Sequence, residues 1–75
     1  MAKLPDITSK ELISALAKIG FESVRQKGSH VRMKHDDNRA VTIPVHAGKT
    51  LSKGLLLKIL RDVDLTKEQL MKLLK

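Results

Sequence analysis

The chain has 75 residues, 41% of them hydrophobic and 31% charged, with a formal net charge of +7. That balance describes one small folded domain, residues 1–75, near the size at which a single core is only just sufficient, and argues against disorder. With no cysteine, disulfides and cysteine-based zinc sites are excluded. No apolar run reaches the roughly 18 residues a membrane span needs, and the MAKLPDIT start lacks a signal-peptide apolar region. The expectation is a cytoplasmic protein with no membrane association.

The first helix is expected over residues 8–19. Thr8 and Glu11 have capping-box spacing, and Ile7 and Leu12 are placed for a hydrophobic staple across the cap. Leu12, Ile13, Leu16 and Ile19 recur at helical spacing, and Gly20 follows where a helix-terminating glycine belongs. Phe21 to Lys27 and His30 to His35 read as two strands. Asp36-Asp37-Asn38 is turn chemistry, and a third strand runs from about Arg39 to Val45. Val41 and Ile43 point to one side of it and Thr42 to the other. Pro44 cannot donate a ladder hydrogen bond, so it belongs at a sheet edge or strand end. His46 to Thr50 is a loop.

A second helix starts near Ser52 with a Leu51/Leu56 staple, and Leu55, Leu56, Ile59, Leu60 and Val63 form its apolar stripe. Leu57 lies off that stripe, available to another element or a partner chain. A third, shorter helix repeats the cap chemistry with Thr66/Gln69 and Leu65/Leu70, and its apolar residues are Leu70, Met71, Leu73 and Leu74. The order α-β-β-β-α-α implies an α+β fold of two layers, with helices covering one face of a three-stranded antiparallel sheet.

Charge is concentrated centrally. Ser23 to Arg61 holds nine Lys/Arg against only Asp36 and Asp37, while acidic and basic residues cancel on either side. A nucleic-acid or acidic-protein partner is the expectation. The densest stretch is Arg25 to His35, RQKGSHVRMKH, with four Lys/Arg and two His. Gly28-Ser29 in its middle suits a two-residue hairpin turn, glycine supplying positive φ at the first central position. Lys27 then stands opposite His30, Arg25 opposite Arg32, and Ser23 opposite Lys34, all six on one face. Val24, Gln26, Val31 and Met33 take the other. The expected result is a basic outer face with a histidine at the hairpin tip.

Histidines are the credible catalytic side chains. An imidazole can give or take a proton near neutrality, and cations beside His30 suit phosphate. Together these groups fit RNA cleavage, in which a base activates the ribose 2′-hydroxyl and cations stabilise the phosphorane charge. A surface histidine that only contacts phosphate is the plainer alternative. His35, beside the aspartate turn, and His46, at a strand end, read as structural, each with a hydrogen-bonding role. The histidine spacings match no common metal-ligand pattern. Phe21 is the single aromatic residue, so phosphate and 2′-hydroxyl contacts rather than ring stacking are the available mode of RNA binding.

GF followed by VRQKGSHVRM and then VTIPVHAGKTLSKGLLLKIL resembles the HicA toxin family over roughly Ser9 to Leu74. The shared pattern is a glycine-aromatic pair, an RQKGSH hairpin, a strand ending in PxH, and a leucine-rich helix after a glycine. Met33 stands where many members have an aromatic or bulky residue, and Leu55 follows Gly54 where threonine is common. The resemblance implies a double-stranded-RNA-binding-domain-like fold and an endoribonuclease that cleaves mRNA independently of the ribosome. It also implies neutralisation by a HicB antitoxin covering the active face. Carried over by position, His30 is the catalytic residue, supported by Gly28 and Ser29 in the turn. Arg25, Lys27, Arg32 and Lys34 then hold the RNA backbone, with neither metal nor small-molecule cofactor. A non-catalytic RNA-binding module, or an interaction domain using the same face, is the competing reading.

Overall fold

A computed structural model describes residues 4–46 and 48–74; Ala47, in the expected loop, and the chain ends at 1–3 and 75 lie outside the described residues. The elements are α1 (Ser9–Ala17), β1 (Glu22–Lys27), β2 (His30–Lys34), β3 (Ala40–Pro44), α2 (Lys53–Asp62) and α3 (Lys67–Leu73). The fold is α+β in the expected order, with one antiparallel sheet in strand order β1-β2-β3.

All three helices begin as their cap chemistry requires. The Thr8 hydroxyl accepts the Glu11 N–H at 3.2 Å while the Glu11 carboxylate accepts the Thr8 N–H at 2.9 Å. Thr66 and Gln69 repeat this reciprocal pair at 3.1 and 2.9 Å, and Ser52 caps α2 through the Leu55 N–H. Helix α1 is shorter than expected because its last turn tightens. Gly20 N–H bonds to the Ala17 carbonyl and Phe21 N–H to that of Leu16, with Gly20 at φ +101°. This is a Schellman ending, and it needs a left-handed residue. Helix α2 ends the same way, with Asp64 at φ +58° in the glycine position.

Strict alternation on β2 and β3 builds the core. Val31, Met33, Val41 and Ile43 are buried against Leu12, Leu16, Leu56, Ile59, Leu60, Val63 and Leu70. Their neighbours Arg32 and Thr42 are exposed. Apolar burial at roughly 25 cal/mol per Å² drives this sorting, and a one-residue slip would reverse it.

Strand β1 departs from the expected register. Lys27 pairs with His30 and Arg25 with Arg32, but the next partners are Ser23 with Met33 and Glu22 with Lys34. Val24 is an extra residue, a bulge, so the expected Ser23–Lys34 pairing is replaced by Glu22–Lys34. Every β1 residue is exposed, including Val24 at 55%. Val24 and Gln26 therefore do not join the covered face. The strand lies at the sheet edge and its bulge breaks the phase that would have turned Val24 inward. Met71 and Leu57 are also exposed, and Leu57 lines an open groove between α2 and α3.

At the other end of the sheet one polar group of contacts joins three elements. His35 Nε2 lies 2.9 Å from the Ile19 carbonyl. Since that oxygen can only accept, Nε2 carries a proton, and Nδ1 lies 3.2 Å from both the Asp37 backbone nitrogen and the Asp37 carboxylate. The imidazole packs edge-on to Phe21, and the Arg39 guanidinium lies 5.1 Å from the Phe21 ring centre. Arg39 also donates to the Val63 carbonyl at the end of α2 and to the Asp37 carboxylate. The expected structural role of His35 is therefore met with a carbonyl partner as well as the aspartate turn.

Two predictions follow from this geometry. A Cβ on Gly20 would sit 2.8 Å from His35 Nε2 on a backbone already at positive φ. Gly20→Ala is expected to lower stability by about 1–3 kcal/mol in urea unfolding. Asp37 is the second case. Desolvation is the largest single influence and raises its pKa, but the Arg39 N–H and guanidinium, with a smaller contribution from His35, together outweigh it and hold the carboxyl below its ordinary 3.8. Its contribution is present above 3.8 and lost as pH falls through the lower folded value. The stability gap between wild type and Asp37→Asn should accordingly close on acidification, as read by unfolding at a series of pH values.

Candidate nucleic-acid interface

The site begins with the turn. Gly28 has φ +58° and Ser29 does not share the left-handed region, as a glycine-first two-residue turn requires. A Cβ built on Gly28 would meet nothing within 4 Å, so glycine is demanded here by backbone conformation and not by crowding. The Ser29 carbonyl accepts the Val45 N–H. That bond ties the hairpin tip to the end of β3 and carries the ladder one step past His30–Pro44.

Three adjacent strands then contribute side chains to a shallow depression on the uncovered face. Arg25 and Lys27 of β1, His30 and Arg32 of β2, and Thr42 of β3 line its volume of about 280 Å³. Arg32 stands directly between Arg25 on one side and Thr42 on the other, and its Nη1 donates to the Thr42 hydroxyl at 2.9 Å. No carboxylate is among the lining residues. Like charges directly opposite on neighbouring strands repel, so the Arg25–Arg32 pair is an arrangement that an anion would relieve. His30 is exposed, and among the described residues its imidazole has no hydrogen-bond partner.

Of the residues expected at the interface, Arg25, Lys27, His30 and Arg32 come together. Gly28 and Ser29 shape the turn without lining the depression. Lys34 shares the open face by alternation but lies four residues from His30, roughly 13 Å along the strand. It borders a different hollow with Glu22, Val24, His35, Asp36 and Asn38. The bulge places the Glu22 carboxylate opposite it, so Lys34 does not extend the unopposed basic field. His46, expected to make a structural hydrogen bond, is exposed beside the start of α1. Among the described residues its ring makes no such bond. Arg39 is turned toward Phe21 and Val63 and is part of the packing.

Thr42 is the lining residue that charge and histidine chemistry did not single out. Its signal was alternation alone: flanked by Val41 and Ile43, it had to face outward beside Arg32. Among the described residues, no group of three His, Asp or Glu side chains is assembled as a metal site would require. Nor is any described helix long and apolar enough to cross a membrane.

No curated protein matches the chain. A family model described as the HicA toxin of bacterial toxin–antitoxin systems matches residues 9–65. The match takes in α1, the whole sheet and α2, and stops short of α3. With more than half of the chain matched, the hairpin, its depression and the helices behind it are those of a toxin of a toxin–antitoxin system, and the chain belongs to the HicA family.

Proposed function

We propose that this toxin is a metal-independent endoribonuclease that cleaves mRNA on the open face of its sheet, independently of the ribosome. The observation that carries the reading is the lining of the depression: two arginines facing each other, a lysine facing a histidine, and no carboxylate. Phosphate is the group such a lining suits, because guanidinium forks match its oxygens and the lining holds no carboxylate to neutralise the charges. In this reading His30 takes the proton of a ribose 2′-hydroxyl. The resulting oxygen attacks the adjacent phosphorus, and the bond to the 5′-oxygen of the next nucleotide breaks. Arg25 and Arg32 offset the negative charge that builds on the phosphorane oxygens, and Lys27 holds the neighbouring backbone. The departing 5′-oxygen needs a proton that His30 does not hold at the start of the reaction. Lys27 or water supplies it, and the exposed His46 is the more remote source.

Gly28 and Ser29 act through the turn, which presents Lys27 and His30 side by side. Lys34, displaced toward Glu22, contributes long-range attraction to RNA rather than a contact at the reacting phosphate. A HicB-like antitoxin is the proposed partner, inhibiting by covering His30 and the basic face with carboxylates of its own.

The test is RNA incubated with purified protein and resolved on a gel. His30→Ala is expected to abolish cleavage and growth arrest while its fold and most of its RNA affinity persist; a fully active alanine variant would remove His30 from its role. Wild-type cleavage should continue in EDTA, and loss restored by a divalent ion would overturn the metal-free reaction. Intact RNA bound in a salt-sensitive manner would instead identify a binding module, since counterion release governs such affinity.

A further inference from the structure

Building on the proposed RNA cleavage, we infer that Thr42 is a positioning residue that aims the Arg32 guanidinium at the phosphate undergoing attack. An arginine on an exposed strand samples many rotamers, and ordering it costs conformational entropy at the moment of use. Here Arg32 is already held, by its Nη1 donating to the Thr42 hydroxyl directly across the β2–β3 ladder at 2.9 Å. On the other flank stands Arg25, a like charge in the opposing position. Repulsion from one side and an acceptor on the other place the guanidinium in one location within the depression that His30 also lines.

The chemistry of the bond leaves Arg32 competent for phosphate. A guanidinium has five N–H donors in a planar fork, and Thr42 engages one nitrogen. Among the described residues the edge formed by Nε and Nη2 makes no hydrogen bond, which leaves it for a two-point contact with phosphate oxygens. Such preorganised donors act most strongly where charge develops in the transition state, because they need not reorient during the reaction. Thr42 therefore influences the rate of the chemical step more than the hold on RNA.

A threonine facing solvent on a strand is ordinary on propensity grounds, so the hydroxyl must be separated from the β-branched shape. Thr42→Val does this, since valine is as good a strand former and lacks the acceptor. The expected result is an unchanged melting temperature, RNA affinity within about twofold of wild type, and kcat reduced about tenfold with little change in KM. Thr42→Ser, which keeps the hydroxyl, should restore most of the rate. In an Arg32→Ala background, Thr42→Val should add no further loss. Wild-type kcat in Thr42→Val, failure of serine to rescue, or a full additional loss in the Arg32→Ala background would each overturn the inference.

A second readout does not depend on catalysis. In the RNA-free protein, NMR of the Arg32 Nε–H should show a restrained guanidinium in wild type and Thr42→Ser and a mobile one in Thr42→Val. Equal mobility in all three overturns the positioning role even if the enzyme is active. A restrained guanidinium in a wild type that fails to cleave RNA overturns the proposed reaction instead, and with it the aim at a reacting phosphate.

Discussion

The demand that Val31 and Met33 be buried sets the position of nearly everything else of interest. A strand has only two sides, so hiding those residues beneath the helices forces His30, Arg32 and Lys34 outward. The Gly28-Ser29 turn then transmits the constraint to β1, where Arg25 and Lys27 fall beside the same outward residues. Cations that repel one another are thus held together by apolar burial on the reverse side. The site's charge density is maintained by the core and not by pairing within the site, which leaves the cations open to an external anion.

That core is closed at its far end by an arrangement with little tolerance. His35 packs edge-on against Phe21 and Arg39 lies over the Phe21 ring, and the polar atoms of the two flanking residues reach the carbonyl of Ile19 after α1, the Asp37 turn and the carbonyl of Val63 at the end of α2. Helix ends leave carbonyls without partners, and here two of the three connections serve such groups. Gly20 has to be glycine because it combines a left-handed backbone with close approach of the imidazole. Two histidines five residues apart thus serve opposite ends of β2, His35 in packing and His30 on the open surface.

The element order, all three caps and the tip of the hairpin were legible in the sequence because each rests on local chemistry: cap spacing, a glycine-led turn, alternating strands. The faces of β2 and β3 were legible for the same reason. Val24 was not, since a bulge arises from how a strand meets its partner and sheet edge, and nothing in ESVRQK marks the extra residue. On the open face its consequence was to move Lys34 from a partner of Ser23 to a partner of Glu22. Arg39 entered the count of nine central Lys/Arg because composition does not distinguish a guanidinium in solvent from one folded over a ring. The Thr42–Arg32 bond likewise depends on pairing between strands, although the outward direction of Thr42 followed from Val41 and Ile43.

The bulge also gives the open face a polarity. Above it, toward the hairpin tip, attraction to a polyanion is unopposed; below it, Glu22 stands across from Lys34 and pushes the same polyanion away. Nucleic acid laid lengthwise down the strands would leave the attractive zone within a few residues. On the proposed reading the bound strand therefore crosses the tip of the ribbon, and its footprint is short, confined to the nucleotides flanking one phosphate.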